Sequence, residues 1–121
     1  MPAKILVVED NADSRDMLAF LLKEEGFGVI CAENGKEALK LVAVEHPELI
    51  ITDISMPVMD GIEMIKRLRE QPELKTIPVL VISAFRSGII GDAMQAGANA
   101  ATVKPLQFEK LFELIHHLIV N

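Results

Sequence analysis

The stretch that decides the fold is LIITD at residues 49–53, followed at once by ISMPVMDG at residues 54–61. A short apolar run bounded by turn residues is typical of a strand that is buried on both faces of a parallel sheet. Asp53 therefore stands at the carboxyl end of such a strand, and open α/β sheets bind their ligands at that edge. On this stretch alone, an ordinary turn or capping aspartate is as good an interpretation as a functional carboxylate.

On both sides of this stretch the chain alternates between strand and helix patterns. The predicted strands are Lys4–Glu9, Gly28–Glu33, Leu49–Asp53, Val79–Ser83 and Ala100–Val103; the predicted helices are Ala12–Glu25, Lys36–Glu45, Gly61–Glu70, Phe85–Ala98 and an amphipathic segment after Lys104-Pro105. Parallel strands are joined by crossovers, which are usually helices, so this alternation predicts a parallel sheet with helices on both faces. We find no linker or internal repeat, and we expect residues 1–121 to form one domain.

The composition excludes several functional classes. The 121-residue chain is 50% apolar, lacks Trp and Tyr, and carries a formal net charge of −6. Such a chain is not expected to bind nucleic acid or an anionic membrane surface. It has no apolar run of membrane-spanning length and no signal-peptide pattern, so a cytoplasmic location is expected. The single Cys31 cannot form an internal disulfide and is predicted to be a small buried apolar residue.

Acidic residues follow two strands that we expect to be neighbours. Glu9 and Asp10 come after the first strand, and Asp53 ends the third. Carboxylates this close repel one another, by about 4 kcal/mol at 4 Å and an effective dielectric near 20. Either a raised pKa or a cation must compensate for this repulsion. Oxygen ligands in an open cluster suit a hard divalent ion, namely Mg²⁺, with Mn²⁺ as an alternative.

Two further side chains stand at the same predicted edge of the sheet. Ser83 ends the fourth strand, and Lys104 follows the fifth. A metal ion, a lysine and hydrogen-bond donors placed around a transferring group are what phosphoryl transfer requires. In this interpretation Asp53 is the nucleophile, while Lys104 and the Ser83 hydroxyl hold phosphoryl oxygens. The metal ligands are then Asp10 and Asp53, Glu9 directly or through water, and the backbone carbonyl of Ser55.

The chain resembles the receiver domain of two-component response regulators over its whole length. The residues that carry the resemblance are Val8-Glu9-Asp10-Asn11, the segment from Asp53 to Gly61, Ser83-Ala84, Ala96-Gly97-Ala98 and Lys104-Pro105. The resemblance implies a flavodoxin-like (βα)5 three-layer sandwich with strand order 2-1-3-4-5, and a peptide bond before Pro105 that is often cis. It further implies that Asp53 becomes a 4-aspartylphosphate, using a histidine kinase, a histidine phosphotransfer protein or a small phosphodonor.

The resemblance also implies how the signal leaves the domain. Receivers of this family use the face formed by the fourth helix, fifth strand and fifth helix for dimerisation or for output partners. They usually carry Tyr or Phe three residues before the lysine, where this chain has Ala101. We therefore expect the switch to involve mainly the loop after Ser83 and the fourth helix. Phe85, two residues after Ser83, offers no group to position an attacking water, which predicts slow loss of the phosphoryl group.

The first helix offers a possible contact with the kinase. Asp13, Ser14, Arg15 and Met17 are expected near the site, although a merely solvated helix face explains each of them equally well.

Three other functions compete with the receiver interpretation. A phosphatase of the haloacid dehalogenase type needs a second aspartate two residues after the nucleophile, where this chain has Ser55. A flavin-binding module on the same fold needs a phosphate-binding loop after the first strand, but the acidic segment from Asp10 to Asp13 would repel phosphate. A pseudo-receiver would lack part of the constellation, whereas Asp10, Asp53, Ser83 and Lys104 are all present. A receiver itself is not an enzyme in the ordinary sense, since it catalyses only its own phosphorylation and dephosphorylation.

Overall fold

The computed structural model describes residues 3–56, 58–84 and 87–120, so Pro57 and Phe85 lie outside the described residues. The strands are β1 (Lys4–Val8), β2 (Gly28–Ala32), β3 (Leu49–Asp53), β4 (Val79–Ser83) and β5 (Ala100–Val103). The helices are α1 (Ala12–Glu24), α2 (Gly35–Glu45), α3 (Gly61–Arg69), α4 (Ser87–Ala96) and α5 (Phe108–Val120). Within these ranges no helix has both the length and the apolar character needed to cross a lipid bilayer.

The five strands form one parallel sheet in the order β2-β1-β3-β4-β5. This confirms the predicted flavodoxin-like topology. In the register, Val8 at the end of β1 pairs with Thr52 of β3, and Asp53 pairs with Ile82 of β4. The carboxyl ends of the three middle strands therefore lie side by side, as the alternation of strands and helices predicts.

Each face of the sheet has its own apolar core. On one face, α1 and α5 pack Leu18, Leu22, Leu111 and Ile115 against side chains of β1, β3 and β4. On the other face, α2, α3 and α4 pack against alternate residues of the same strands; the buried helix residues there are Ala38, Val42, Met64, Ile65, Leu68 and Ala93. The continuous apolar runs of the middle strands are thus explained, since both of their faces are covered.

Side-chain caps fix where three helices begin. Asn11, Asn34 and Asp60 accept hydrogen bonds from the backbone N–H groups three residues later, at 2.8, 2.9 and 2.9 Å. Each such cap stabilises a helix by about 1 kcal/mol. Capping by Asn34 makes Gly35, rather than the predicted Lys36, the first residue of α2.

The prediction that Cys31 is buried is wrong: Cys31 is exposed, because β2 is an edge strand of the sheet. On α1, two large apolar residues also face solvent, since Met17 and Phe20 are each 61% exposed. The buried stripe of α1 is narrower and runs through Leu18 and Leu22.

Arg69 lies at the end of the sheet opposite Asp53, where its guanidinium donates only to uncharged oxygen atoms. Its Nε and Nη2 donate to the carbonyl of Gly97 at 3.0 and 2.8 Å, and its Nη1 donates to the carbonyls of Lys75 and Ile77 at 3.0 and 2.8 Å. Nη2 also donates to Oδ1 of Asn99 at 2.9 Å. These bonds use every donor of the guanidinium. Burial lowers the pKa of Arg69.

Candidate functional site

Three carboxylates meet at the carboxyl edge of the sheet. An oxygen from each of Glu9, Asp10 and Asp53 lies within 4.8 Å of the other two. Glu9 is buried, Asp53 is partly buried and Asp10 is exposed. The structure therefore brings together the acidic residues that the sequence predicts to converge, with one side of the cluster open to solvent.

Both carboxylate oxygens of Asp53 have partners. Oδ1 accepts hydrogen bonds from the backbone N–H of Ile54 at 2.6 Å and, more weakly, of Ser55 at 3.4 Å. Oδ2 accepts a hydrogen bond from Nζ of Lys104 at 2.8 Å. The carboxylate of Asp53 is thus held in one orientation by the loop that follows it and by a cation that follows β5, two strands away in the sheet.

Lys104 bridges the acidic cluster from the far side of β4. Besides contacting Asp53, its Nζ lies 3.7 Å from Oε1 of Glu9. Its backbone N–H donates to the carbonyl of Ser83 at 2.8 Å, and the peptide bond to Pro105 is cis, as the resemblance implies. Burial lowers the pKa of Lys104, but the hydrogen bonds and negative charges of Asp53 and Glu9 together outweigh burial, so the pKa is raised and the ammonium stays charged.

Glu9 is held at each of its polar groups. Its backbone N–H donates to the carbonyl of Ala32 at 3.0 Å, and its Oε2 accepts from the N–H of Asn11 at 3.0 Å. Its own carbonyl accepts a hydrogen bond from Nη1 of Arg15 at 2.9 Å. Arg15 was expected near the site as a possible contact with the kinase, but its bond to the backbone of Glu9 was not predicted.

Burial raises the pKa of the Glu9 carboxyl, and the negative charge of Asp53 raises it further. The hydrogen bond from Asn11 and the charge of Lys104 oppose this change without cancelling it. The folded, metal-free protein therefore disfavours the charged form of Glu9.

The other two predicted site residues differ in exposure. Ser83 is buried at the end of β4, one position beyond the Ile82 that pairs with Asp53. Ser55 is exposed in the loop after β3, and its backbone N–H points to Asp53. The loop is closed at its other end by a hydrogen bond from the N–H of Gly61 to the carbonyl of Ile54 at 2.8 Å.

The chemistry of this cluster suits a divalent cation. All three side chains offer carboxylate oxygens, and one of them is buried beside a like charge, so a cation would relieve both the desolvation and the repulsion. Lys104 already neutralises part of the charge, which leaves the cluster with a net negative charge at neutral pH. The residues present therefore fit a hard metal ion.

We expect the replacement of Glu9 by glutamine to stabilise the metal-free protein at neutral pH. The raised pKa means that the native state binds the Glu9 proton more tightly than the unfolded chain does. This contribution to stability is complete at pH values below the ordinary pKa of 4.5 and is lost as the pH rises through the folded-state pKa. Glutamine keeps an acceptor for the Asn11 N–H and removes the charge, so the free energy of unfolding rises by roughly 1 kcal/mol.

Urea denaturation followed by circular dichroism, in EDTA, measures this effect across the pH range. Glu109→Gln on α5 serves as the control with the same change in charge, because Glu109 is exposed and does not belong to the cluster of Glu9, Asp10 and Asp53. A Glu9→Gln protein that is no more stable than wild type at neutral pH would contradict the expectation.

Comparison with known proteins agrees with this geometry. The family described as the response regulator receiver domain matches residues 5–116. An uncharacterised 14.6 kDa protein of Leptolyngbya boryana is 42% identical, covering 92% of this chain and 86% of that protein. The polar-differentiation response regulator DivK of Brucella anthropi is 35% identical, covering 95% of this chain and 94% of DivK.

A solved structure shows the same likeness in three dimensions. The chemotaxis response regulator CheY4 of Vibrio cholerae superposes with a TM-score of 0.90 at 32% identity, covering 98% of this chain and 99% of CheY4. The matched family consists of signalling domains rather than classical enzymes. Sequence, fold and acidic edge lead to one conclusion, that this chain belongs to the receiver domains of two-component response regulators.

Proposed function

We propose that Asp53 is the residue that accepts the phosphoryl group. The observation that carries this proposal is the position of its carboxylate, paired with Lys104 at 2.8 Å inside a cluster of three carboxylates. A lone turn aspartate would need neither the lysine nor the acidic neighbours. The arrangement suits a nucleophile whose reaction builds up negative charge on nearby oxygens.

In the proposed step an oxygen of Asp53 forms a bond to phosphorus. The bond from phosphorus to the donor breaks at the same centre: a P–N bond of a phosphohistidine, or a P–O bond of an acyl phosphate. The departing imidazole takes up a proton from solvent, and an acyl phosphate leaves as a carboxylate. Lys104 stabilises the charge on the transferring oxygens, and the Ser83 hydroxyl binds one of those oxygens once they belong to Asp53.

The proposed metal ligands are Glu9, directly or through water, the side chains of Asp10 and Asp53, and the backbone carbonyl of Ser55. A bound Mg²⁺ would neutralise charge on the phosphoryl oxygens, and Mn²⁺ would serve in its place. The chain itself holds the carboxylates close together. The neighbouring strands β1 and β3 bring Glu9 and Asp53 side by side, and Lys104, which follows β5, contacts both carboxylates.

We propose a histidine kinase or a histidine phosphotransfer protein as the phosphodonor. A cavity of about 260 Å³ lies beside the site, lined by Glu9 and Lys104 on one side and by Ser14 and Met17 of α1 on the other. Its position supports the approach of a donor across α1, where Met17 exposes apolar surface.

The proposed output surface is the face formed by α4, β5 and α5. Met94 of α4 and Val103 of β5 are 42% and 48% exposed, which gives this face apolar contact area for a second copy or for an output partner. Ala101 is partly buried against the core and fills less space than the usual aromatic ring. The proposed switch therefore uses the loop after Ser83 and α4.

We further propose that residues 1–121 act as a single cytoplasmic receiver domain that catalyses only its own phosphorylation and dephosphorylation. One continuous sheet from β1 to β5 supports the single domain. The alternative of a haloacid dehalogenase-type phosphatase is disfavoured, because exposed Ser55 stands where that class needs an acidic catalyst. Repeated turnover of a generic phosphomonoester would favour the phosphatase; a receiver takes up one phosphoryl group per chain.

Asp53→Asn tests the proposal. This isosteric change removes the nucleophile, so the mass gain of one phosphoryl group seen for wild type with acetyl phosphate and Mg²⁺ should disappear. Intact-protein mass spectrometry measures the adduct, and omission of Mg²⁺ should also abolish it. Asp60→Asn is the control, because Asp60 caps α3 and asparagine is an equally good cap. Labelling of the Asp53→Asn protein to the wild-type level would disprove the assignment of Asp53.

A further inference from the structure

Arg15 lies close to the acidic cluster, yet among the described residues it forms no ion pair. It lies at the end of the first turn of α1, where the helix dipole favours negative charge, and its backbone N–H bonds to the carbonyl of the capping residue Asn11 at 2.9 Å. It also lies next to the predicted metal site, where a positive charge repels the ion. The acidic residues around it in sequence, Asp13 and Asp16, form no ion pair with it among the described residues.

What Arg15 contacts is the backbone of the site. Its Nη1 donates to the carbonyl oxygen of Glu9 at 2.9 Å. That carbonyl belongs to the planar peptide that joins Glu9 to Asp10, so fixing it fixes the direction in which the chain leaves Glu9. The two sides of this junction are anchored independently, by the bond from Glu9 N–H to Ala32 and by the bond from Asn11 N–H to the Glu9 carboxylate.

We propose that Arg15 is a positioning residue for the metal-binding carboxylates. Its guanidinium holds the peptide between Glu9 and Asp10, and thereby keeps the exposed Asp10 side chain within reach of Asp53. Asp10 itself is exposed, and its side chain interacts with the Glu9 carboxyl, so the bond from Arg15 to the Glu9 carbonyl restrains the backbone from which both carboxylates project. This inference rests on the proposed function, since it assumes that the three carboxylates bind Mg²⁺.

The direction in which Arg15→Met changes the Mg²⁺ dissociation constant distinguishes a positioning role of Arg15 from an effect of its charge alone. If Arg15 acts only through its charge, Arg15→Met removes a repulsive cation and Mg²⁺ binds more tightly. If Arg15 positions the carboxylates, Arg15→Met weakens Mg²⁺ binding, on the order of tenfold, as is usual for residues that orient metal ligands. Mg²⁺ titration followed by amide NMR shifts measures the dissociation constant without any phosphoryl transfer.

Lys23→Met is the matched control, because it removes one positive charge from the last turn of the same helix without touching Glu9. It should leave the dissociation constant close to that of wild type. In the metal-free spectra, the Asp10 amide signal should shift in Arg15→Met and stay in place in Lys23→Met. Binding by Arg15→Met that equals or exceeds wild type, or an unmoved Asp10 amide, would overturn the proposal.

Arg15→Lys provides a second test should the methionine variant not fold. Lysine keeps the charge but is shorter, so Mg²⁺ binding is expected to weaken by a smaller factor than in Arg15→Met, and unchanged binding would contradict the positioning role. Failure of the wild-type protein to bind Mg²⁺ would instead disprove the proposed function, so the two failures are distinguishable.

Discussion

Replacement of Lys104 by methionine is expected to slow the Mg²⁺-dependent phosphorylation of Asp53 by about 10- to 100-fold. The ammonium donates to Oδ2 of Asp53 at 2.8 Å and lies 3.7 Å from Oε1 of Glu9, so it lies beside the charge that develops during transfer. A hydrogen bond to a charged group is worth about 1.5–3 kcal/mol, which corresponds to the expected range of rates. Methionine keeps an unbranched apolar stem up to the ε position and removes the terminal nitrogen with its donors and charge.

The rate can be followed by intact mass during incubation with acetyl phosphate. Lys110→Met on the exposed side of α5 is the control for net charge and should phosphorylate at the wild-type rate. Mg²⁺ binding should persist in Lys104→Met, because lysine competes with the metal for the same carboxylates. A rate within a few-fold of wild type would show that Lys104 does not take part in the transfer step.

Replacement of Gly61 by alanine is expected to lower the free energy of unfolding by about 2–3 kcal/mol. A Cβ atom at this position would lie 2.5 Å from the carbonyl oxygen of Asp53 and 3.1 Å from Cα of Ile54. Both neighbours are backbone atoms at the end of β3, so they cannot rotate away as a side chain would. Because relief of the clash must move Asp53 itself, phosphorylation should fall together with stability.

Gly91→Ala is the matched control, and we expect it to change the free energy of unfolding in the opposite direction. Gly91 lies inside α4, and no atom lies within 4 Å of the position that its Cβ would occupy. Alanine at a helical position without a clash should raise the free energy of unfolding by about 1 kcal/mol. Urea denaturation followed by circular dichroism measures both proteins; a Gly61→Ala protein as stable as wild type would contradict the steric argument.

The sequence predicts which side chains converge because parallel sheets leave little freedom at their edges. Once the chain is divided into alternating strands and helices, residues after each strand must meet at one edge, which brings Asp53, Glu9 and Lys104 together. The type and order of all the elements follow from the same alternation, with the strand order supplied by the resemblance. The bond from Lys104 to Asp53 joins two residues that the sequence already identifies as site candidates.

Features that depend on the packing of distant segments could not be predicted in this way. Cys31 is exposed because β2 is an edge strand, a fact that its own apolar neighbours do not reveal. Leu74, in the turn region after α3, is buried in the core although no periodic pattern includes it. The bond between Arg15 and Glu9 depends on one side-chain conformation, and propensities and hydrophobic spacing carry no information about that.

The Arg69 network has a consequence for how sequences of this type can diverge. Four of its five bonds end on backbone carbonyls, which every residue type supplies, so Lys75 and Ile77 are free to vary without loss of those acceptors. Asn99 is different, because its Oδ1 accepts from Arg69 and also from the N–H of Val79 at 2.8 Å. Arg69 and Asn99, 30 positions apart, therefore form a pair in which replacement of either side chain removes a hydrogen-bond partner of the other, so we expect the two residues to change together.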